Sequence, residues 1–226
     1  MNKGLFIVIE GIDGSGKGTQ SKRLKSWLTD KNKHATTHSV FHTMEPTGGK
    51  IGVLLRNALK DGTIAPKILA LLFAADRIEH CKEIEQHLEE GKIVISDRYL
   101  YSSIAYQGSQ GVDKEWIMEI NKFSLIPDIV FYLDITPESG LKRIFSRAKS
   151  YEHLKNEQKE RDYLEKIDSL EKVRKNYLKL ADENPFFVTI NAEKTRKEVQ
   201  GSIRKVMGRL LKAGKTSNDK DLRYFL

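Results

Sequence analysis

The sequence predicts an α/β fold with a parallel sheet covered by helices on both faces, and three observations predict it. Short apolar runs rich in β-branched residues recur along the chain, longer segments with an apolar residue every three or four positions separate them, and a glycine-rich turn ending in lysine joins the first run to the first periodic segment. Residues 5–9 (Leu-Phe-Ile-Val-Ile) read as a buried strand entering that turn. Similar runs stand at 93–95, 129–133 and 186–190, and a further strand is expected within 36–43. Helical period covers 19–31, 51–59, 66–90, 115–125, 137–148, 157–181 and 195–211. Alternation of the two patterns gives a five-stranded parallel sheet.

With 226 residues, 39% of them hydrophobic, the chain can bury a full core. It reads as one domain over 1–213 followed by a polar tail over 214–226. Lys and Arg number 39 against 31 Asp and Glu, a net charge of +8 that favours anionic partners. The charges are interleaved rather than blocked, which reads as a solvated basic surface rather than a nucleic-acid tail, and charge alone does not choose among nucleic acid, nucleotides and phosphorylated metabolites. The N-terminal apolar run is far too short for a membrane span and has no cleavage site beside it, which predicts a cytoplasmic chain. Cys81 is the single cysteine, so neither an intramolecular disulfide nor a thiolate metal cluster can form. His34, His38 and His42 lack clustered carboxylates and read as strand and loop residues rather than metal ligands.

Gly11, Ile12, Asp13, Gly14, Ser15, Gly16, Lys17, Gly18 and Thr19 follow the first strand and open the first helix. That is the context required of the G-x-x-x-x-G-K loop, whose amides cradle phosphates while the lysine reaches the β- and γ-phosphates of a nucleotide. The Ser or Thr that normally follows the lysine and ligates Mg²⁺ is Gly18 here, with the hydroxyl displaced to Thr19. The G-K-G-T-Q ending resembles adenylate-kinase-like enzymes. A GTPase would need an N/T-K-x-D string, and 121–124 (Asn-Lys-Phe-Ser) lacks the aspartate.

Asp97 and Arg98 end the strand at 93–95, where ligands of open α/β sheets collect. The carboxylate can hold water around Mg²⁺ or orient the attacking oxygen. The guanidinium offers a fork for phosphate. Phe73 and Arg77 lie four apart on one helical face, Arg77 interrupts an apolar stripe, and Ser103 and Gln107 are likewise four apart just after the Asp-Arg pair.

The run 97–108 (Asp-Arg-Tyr-Leu-Tyr-Ser-Ser-Ile-Ala-Tyr-Gln-Gly) strongly resembles the thymidylate kinases, as do 72–77, Glu45-Pro46, 137–147, 173–177 and 190–192. The resemblance covers nearly the whole chain to about residue 211. It implies a three-layer P-loop nucleoside monophosphate kinase fold with a helical lid at about 142–160, which transfers the γ-phosphoryl group of ATP to dTMP, giving ADP and dTDP, with Mg²⁺. Phe73 would then stack on the pyrimidine and Arg77 donate to thymine O4. Ser103 and Gln107 would contact the base, Tyr106 would pack near the deoxyribose, and Asp13 would address the 3′-hydroxyl.

Lys17, Asp97, Arg98 and a lid arginine would form the catalytic set, with Asp97 holding the metal through water. Within the basic stretch Lys142, Arg143, Arg147 and Lys149, Arg147 is assigned to the γ-phosphate, with Arg143 at the donor nucleotide and Asn191-Ala192 at its base. Met44 stands where many relatives carry arginine, and Arg56 is the expected substitute. Resembling kinases are homodimers. Two alternatives stay open at this level: a kinase of dUMP or AMP, and a regulatory ATP-binding protein without acceptor-dependent turnover.

Overall fold

Every residue of the strand Leu5–Glu10 (β1) is buried, the pattern of a strand covered on both faces. In a computed structural model, which describes residues 4–30, 39–146 and 156–213, it is the middle strand of five. The others are Val40–Met44 (β2), Ile93–Asp97 (β3), Ile129–Asp134 (β4) and Phe187–Asn191 (β5), ordered β2-β3-β1-β4-β5 and parallel throughout. β1 sets Ile9 beside Asp97 on one side and Ile7 beside Ile129 on the other. The chain therefore crosses from one neighbour of β1 to the other, and a crevice opens at the carboxyl ends of the strands.

The eight helices of the described residues are Lys17–Leu28 (α1), Lys50–Asp61 (α2), Pro66–Glu89 (α3), Leu100–Ser109 (α4), Lys114–Ile120 (α5), Pro137–Phe145 (α6), Asn156–Glu183 (α7) and Arg196–Ala213 (α8). α1 packs on α8, while α4 packs on both α3 and α7. The core between these layers joins Phe6, Val8, Val94 and Phe131 to Leu24, Ile84, Tyr177 and Ile203. Local chemistry sets several boundaries. Pro66 and Pro137 open α3 and α6, Asp113 caps α5 by accepting from Trp116 N at 2.8 Å, and Gly62 ends α2 with φ 66°. No helix among the described residues is long and apolar enough to cross a membrane.

The strand expected within 36–43 is β2, displaced toward 44, and residues 36–38 lie outside the described part. The helix expected over 115–125 stops at Ile120, where Asn121 turns the chain. α4 is an addition: Leu100, Tyr101, Ser102, Ser103, Ile104, Ala105 and Gln107 are all buried, so it has no polar face and hence no helical period to read. Phe131, fully buried in β4, gives the fold a direct check. Phe131→Ala is expected to lower the unfolding free energy by roughly 3–5 kcal/mol, measured by urea denaturation.

Candidate active site

Gly11, Gly14 and Gly16 have φ of 147°, 84° and 96°, left-handed values that cost glycine little and other residues much. Gly14 is constrained further, because a Cβ there would lie 2.1 Å from the carbonyl oxygen of Gly140 in α6, and one on Gly140 would lie 2.7 Å from that of Asp13. Loop and helix thus meet backbone to backbone. The turn feeds into the N-terminus of α1, where free amides and the helix dipole favour an anion. Lys17 Nζ donates to the carbonyls of Gly11 and Ile12, each at 2.9 Å, and stands 3.9 Å from the Asp13 carboxylate. Burial, reinforced by the nearby Arg98 cation, lowers the Lys17 pKa to about 8. Ser15 Oγ is buried without a partner, so the loop holds a hydroxyl in reserve.

Asp97 ends β3 beside this loop. A Cβ on Gly18 would stand 3.0 Å from Asp97 Oδ2, so the departure from Ser or Thr leaves room for a carboxylate to lean over the first turn of α1. No hydrogen bond to that carboxylate is seen among the described residues. Asp97 and the displaced Thr19 line one cavity of about 820 Å³ with Lys17, Lys22 and Met44. These hard oxygen donors fit Mg²⁺ bound to nucleotide phosphates.

Arg98 is the one non-glycine with positive φ (70°) among the described residues. Its amide donates to Ile9 O at 3.0 Å and its carbonyl accepts from Ser96 Oγ at 2.7 Å, which over-determine the conformation. The guanidinium donates to Asp13, to Ser102 Oγ at 3.1 Å and to Tyr106 Oη at 3.5 Å, and lies 5.1 Å from the Tyr106 ring centroid. For Asp13, desolvation is outweighed by the Arg98 and Lys17 cations, which hold its carboxyl below the usual range.

A cavity of about 290 Å³ opens behind Arg98, lined by Asp13, Pro46, Phe73, Ser102, Tyr106 and Gln107 among others. Gln107 is 4% exposed, and its Oε1 has no hydrogen-bond partner. Arg77 lies deeper, fully buried, and does not line this cavity. It donates to Glu45 at 2.6 and 3.1 Å, to Ser103 Oγ at 3.2 Å and to Asn121 Oδ1. Glu45 also meets His80 Nδ1 at 3.0 Å, so the anomalous cation of α3 has a buried counter-charge. Arg56 Nη1 is committed to the carbonyls of Pro46 and Thr47 at 2.9 and 2.6 Å, while Met44 is 49% exposed.

On the far side of the loop a cavity of about 340 Å³ is bordered by Gly16, Thr19, Gln20, Arg143 and residues 192–196. Arg143 Nη2 donates to Ala192 O at 2.9 Å. Asn191 is turned inward on its own chain, its Oδ1 accepting from Glu193 N at 2.9 Å. Thr195 and Glu198 cap each other's amides at 3.0 and 3.4 Å, a T-x-x-E capping box that was readable in the sequence and marks the start of α8. Arg147 and Lys149 lie outside the described residues.

Glu10, which no motif singles out, is fully buried. Its carboxylate accepts from Tyr99 N at 2.9 Å, Ser102 N at 3.1 Å, Ser102 Oγ at 2.7 Å and Tyr177 Oη at 2.8 Å. Burial raises its pKa, while Arg98 and these donors pull the other way. The signal for it was a charged residue at the end of an otherwise apolar strand.

Residues 9–203 match the family model described as "Thymidylate kinase". Curated relatives include a "Probable thymidylate kinase" of Thermococcus kodakarensis, 42% identical over 210 residues that cover 88% of this chain and 95% of the relative. Proteins of the same description from Methanocaldococcus jannaschii (44% over 200 residues; 88% and 93%) and Pyrococcus horikoshii (42% over 209; 89% and 94%) are similar in extent.

The electrostatics of the loop make one expectation about phosphate binding. Lys17 is cationic below about pH 8 and neutral above it, and bound phosphate favours the cation. Metal-free ATP affinity, measured by calorimetry, should therefore hold steady below pH 8 and weaken toward about tenfold per pH unit above it; a flat profile to pH 9.5 excludes Lys17 as the contact.

Proposed function

This chain belongs to the thymidylate kinase family and phosphorylates dTMP, and from that premise we propose that ATP with Mg²⁺ is the donor and that the three cavities divide the work. ATP takes the glycine loop and the cavity bordered by Arg143 and residues 192–196. Its phosphates run over Gly11–Thr19 toward Asp97. The acceptor takes the cavity behind Arg98, so that the two nucleotides face each other across Asp13, Lys17 and Arg98.

The observation that carries this reading is the buried, unpartnered Oε1 of Gln107 in the acceptor cavity. A buried acceptor without a donor is costly, and the N3–H of thymine supplies one while Phe73 offers its ring face to the base. Arg77 and Ser103 act from beneath the cavity: one remaining N–H of the guanidinium is free for a base oxygen, and Glu45 fixes its plane. Tyr106 and Asp13 flank the sugar. The acceptor phosphate lies against Arg98, with Lys22 and Arg56 on its approach in place of the arginine absent at Met44.

In the transfer, an oxygen of the acceptor phosphate forms a bond to the γ-phosphorus as the bond to the bridging oxygen breaks, releasing ADP. Bound Mg²⁺ would neutralise charge on the β- and γ-phosphates, held by Asp97. Lys17 and Arg98 spread charge on the transferring group, and preorganised cations of this kind act without rearranging at the moment of reaction. Arg147, on the lid assigned to about 142–160, completes that set, and lid closure keeps water from the γ-phosphate. We assign 1–213 to this one kinase domain. The compartment is cytoplasmic, consistent with a lone, buried cysteine at Cys81.

The partner is a second copy of the chain. α3 carries an exposed apolar row, Ile68 (52%), Leu71 (49%) and Ile78 (44%), and α2 adds Val53 and Leu54. Residues 68, 71 and 78 share one helical stripe, and an apolar stripe of this length marks a protein interface.

Two measurements test the section. ADP release with ATP and Mg²⁺ is expected to depend on dTMP in preference to dUMP, UMP or AMP, and Gln107→Leu should raise KM for dTMP about 10- to 100-fold; activity with AMP alone overturns the acceptor assignment. Sedimentation velocity is expected to give twice the chain mass of 25.9 kDa, with Leu71→Glu shifting it to monomer; a wild-type monomer ends the dimer proposal.

A further inference from the structure

We propose that Glu10 is the positioning residue for Arg98: from the end of β1 it holds the first turn of α4 and the hydroxyl of Ser102, and through them sets where the guanidinium stands between the two nucleotides. The inference deepens the proposed function, because it rests on the role given there to Arg98.

Tyr99 is the N-cap of α4, and its side chain makes no capping hydrogen bond. Of the amides at that first turn, Tyr99 N donates to Glu10 from a different strand, and Ser102 N is shared between Glu10 at 3.1 Å and Tyr99 O at 3.0 Å. A carboxylate at a helix N-terminus also meets the positive end of the helix dipole. Glu10 therefore helps cap α4, from 89 and 92 residues away in the chain. The other two donors are side chains, Ser102 Oγ and Tyr177 Oη, so one carboxylate ties β1 to α4 and to α7.

Ser102 is the link to the reaction. Its hydroxyl gives its hydrogen to Glu10 at 2.7 Å, which leaves its oxygen to accept from Arg98 Nη1 at 3.1 Å. The opposite edge of the same guanidinium meets Asp13. Arg98 is thus held between a loop carboxylate on the ATP side and a serine whose orientation Glu10 dictates. Four donors fill the four lone-pair sites of the carboxylate. A glutamine would keep the shape but accept at one oxygen only, so two of the four donors would face an NH₂ group. Whichever way the amide turned, either the α4 amides or the Ser102 hydroxyl would lose its acceptor, and Arg98 would lose a neighbouring negative charge.

The test measures KM for dTMP and for ATP separately in Glu10→Gln, Ser102→Ala, the double variant and Tyr177→Phe, with melting temperatures and Arg98→Ala alongside. Glu10→Gln and Ser102→Ala are each expected to lower kcat/KM for dTMP by about tenfold or more, with KM for ATP within about twofold of wild type. The double variant should be no worse than the worse single one, since both changes cut the same link. Tyr177→Phe removes a donor to Glu10 together with the 3.0 Å contact of its hydroxyl to Ser102 Oγ, but leaves Ser102 bonded both to Glu10 and to Arg98, so it should lower the melting temperature and change KM for dTMP far less than Ser102→Ala does. Equal losses toward both nucleotides in Glu10→Gln, matched by Tyr177→Phe, would reduce Glu10 to a structural residue and overturn the proposal. If Glu10→Gln does not fold, Ser102→Ala decides: an unchanged kcat/KM for dTMP overturns it. A failure of the underlying reading looks different, because then Arg98→Ala itself leaves dTMP kinetics unchanged.

Discussion

The parallel register that sets Ile9 beside Asp97 places the end of β1 and the end of β3 at one level, and the site is assembled from what each strand does next. β1 turns through the glycine loop into α1, β3 turns through Arg98 into α4, and the Arg98 amide bonds back to Ile9 O. A slip of one residue would invert the faces of β3, moving Asp97 away from Gly18 and Arg98 away from Asp13. The apolar burial of the central strands holds the register, so the core and the chemistry share one cause.

Charge is managed at that edge in layers. Glu45 answers Arg77, Asp13 answers Arg98, and Glu10 stands behind Ser102, each acid placed by an element other than the one carrying its cation. Buried ions are tolerated only with partners of good geometry, a requirement that Arg77 and Glu45 meet at 2.6 Å. Lys17 is held differently, by two main-chain carbonyls and only a distant carboxylate. Its weak compensation is why its proton is held loosely, and why phosphate is its natural partner.

Much of this was legible in the sequence. The four apolar runs became strands because parallel strands buried on both faces must be continuously apolar, and the loop glycines were readable because their conformations exclude other residues. Arg77 announced itself by interrupting an apolar stripe, although its place beneath the cavity, paired with Glu45, came only from the fold. α4 escaped because burial on all sides erases period. Glu10 escaped because its partners lie about 90 and 167 residues away, and no local pattern encodes such a cap. Thr195 and Glu198 carried a readable box, and Asn191-Ala192, placed at the donor base by resemblance, ends β5 with the Asn191 side chain accepting from Glu193 N and Ala192 bordering the cavity beside the glycine loop.

The backbone contact between Gly14 and Gly140 ties together two positions far apart in sequence. No side chain can be added at either without moving α6, so a basic residue in place of Gly14 is closed to this chain by any single substitution. Because the obstacle at each is the other's main chain, a second substitution cannot relieve the first, and an engineer who wants a basic residue at position 14 must first reshape α6.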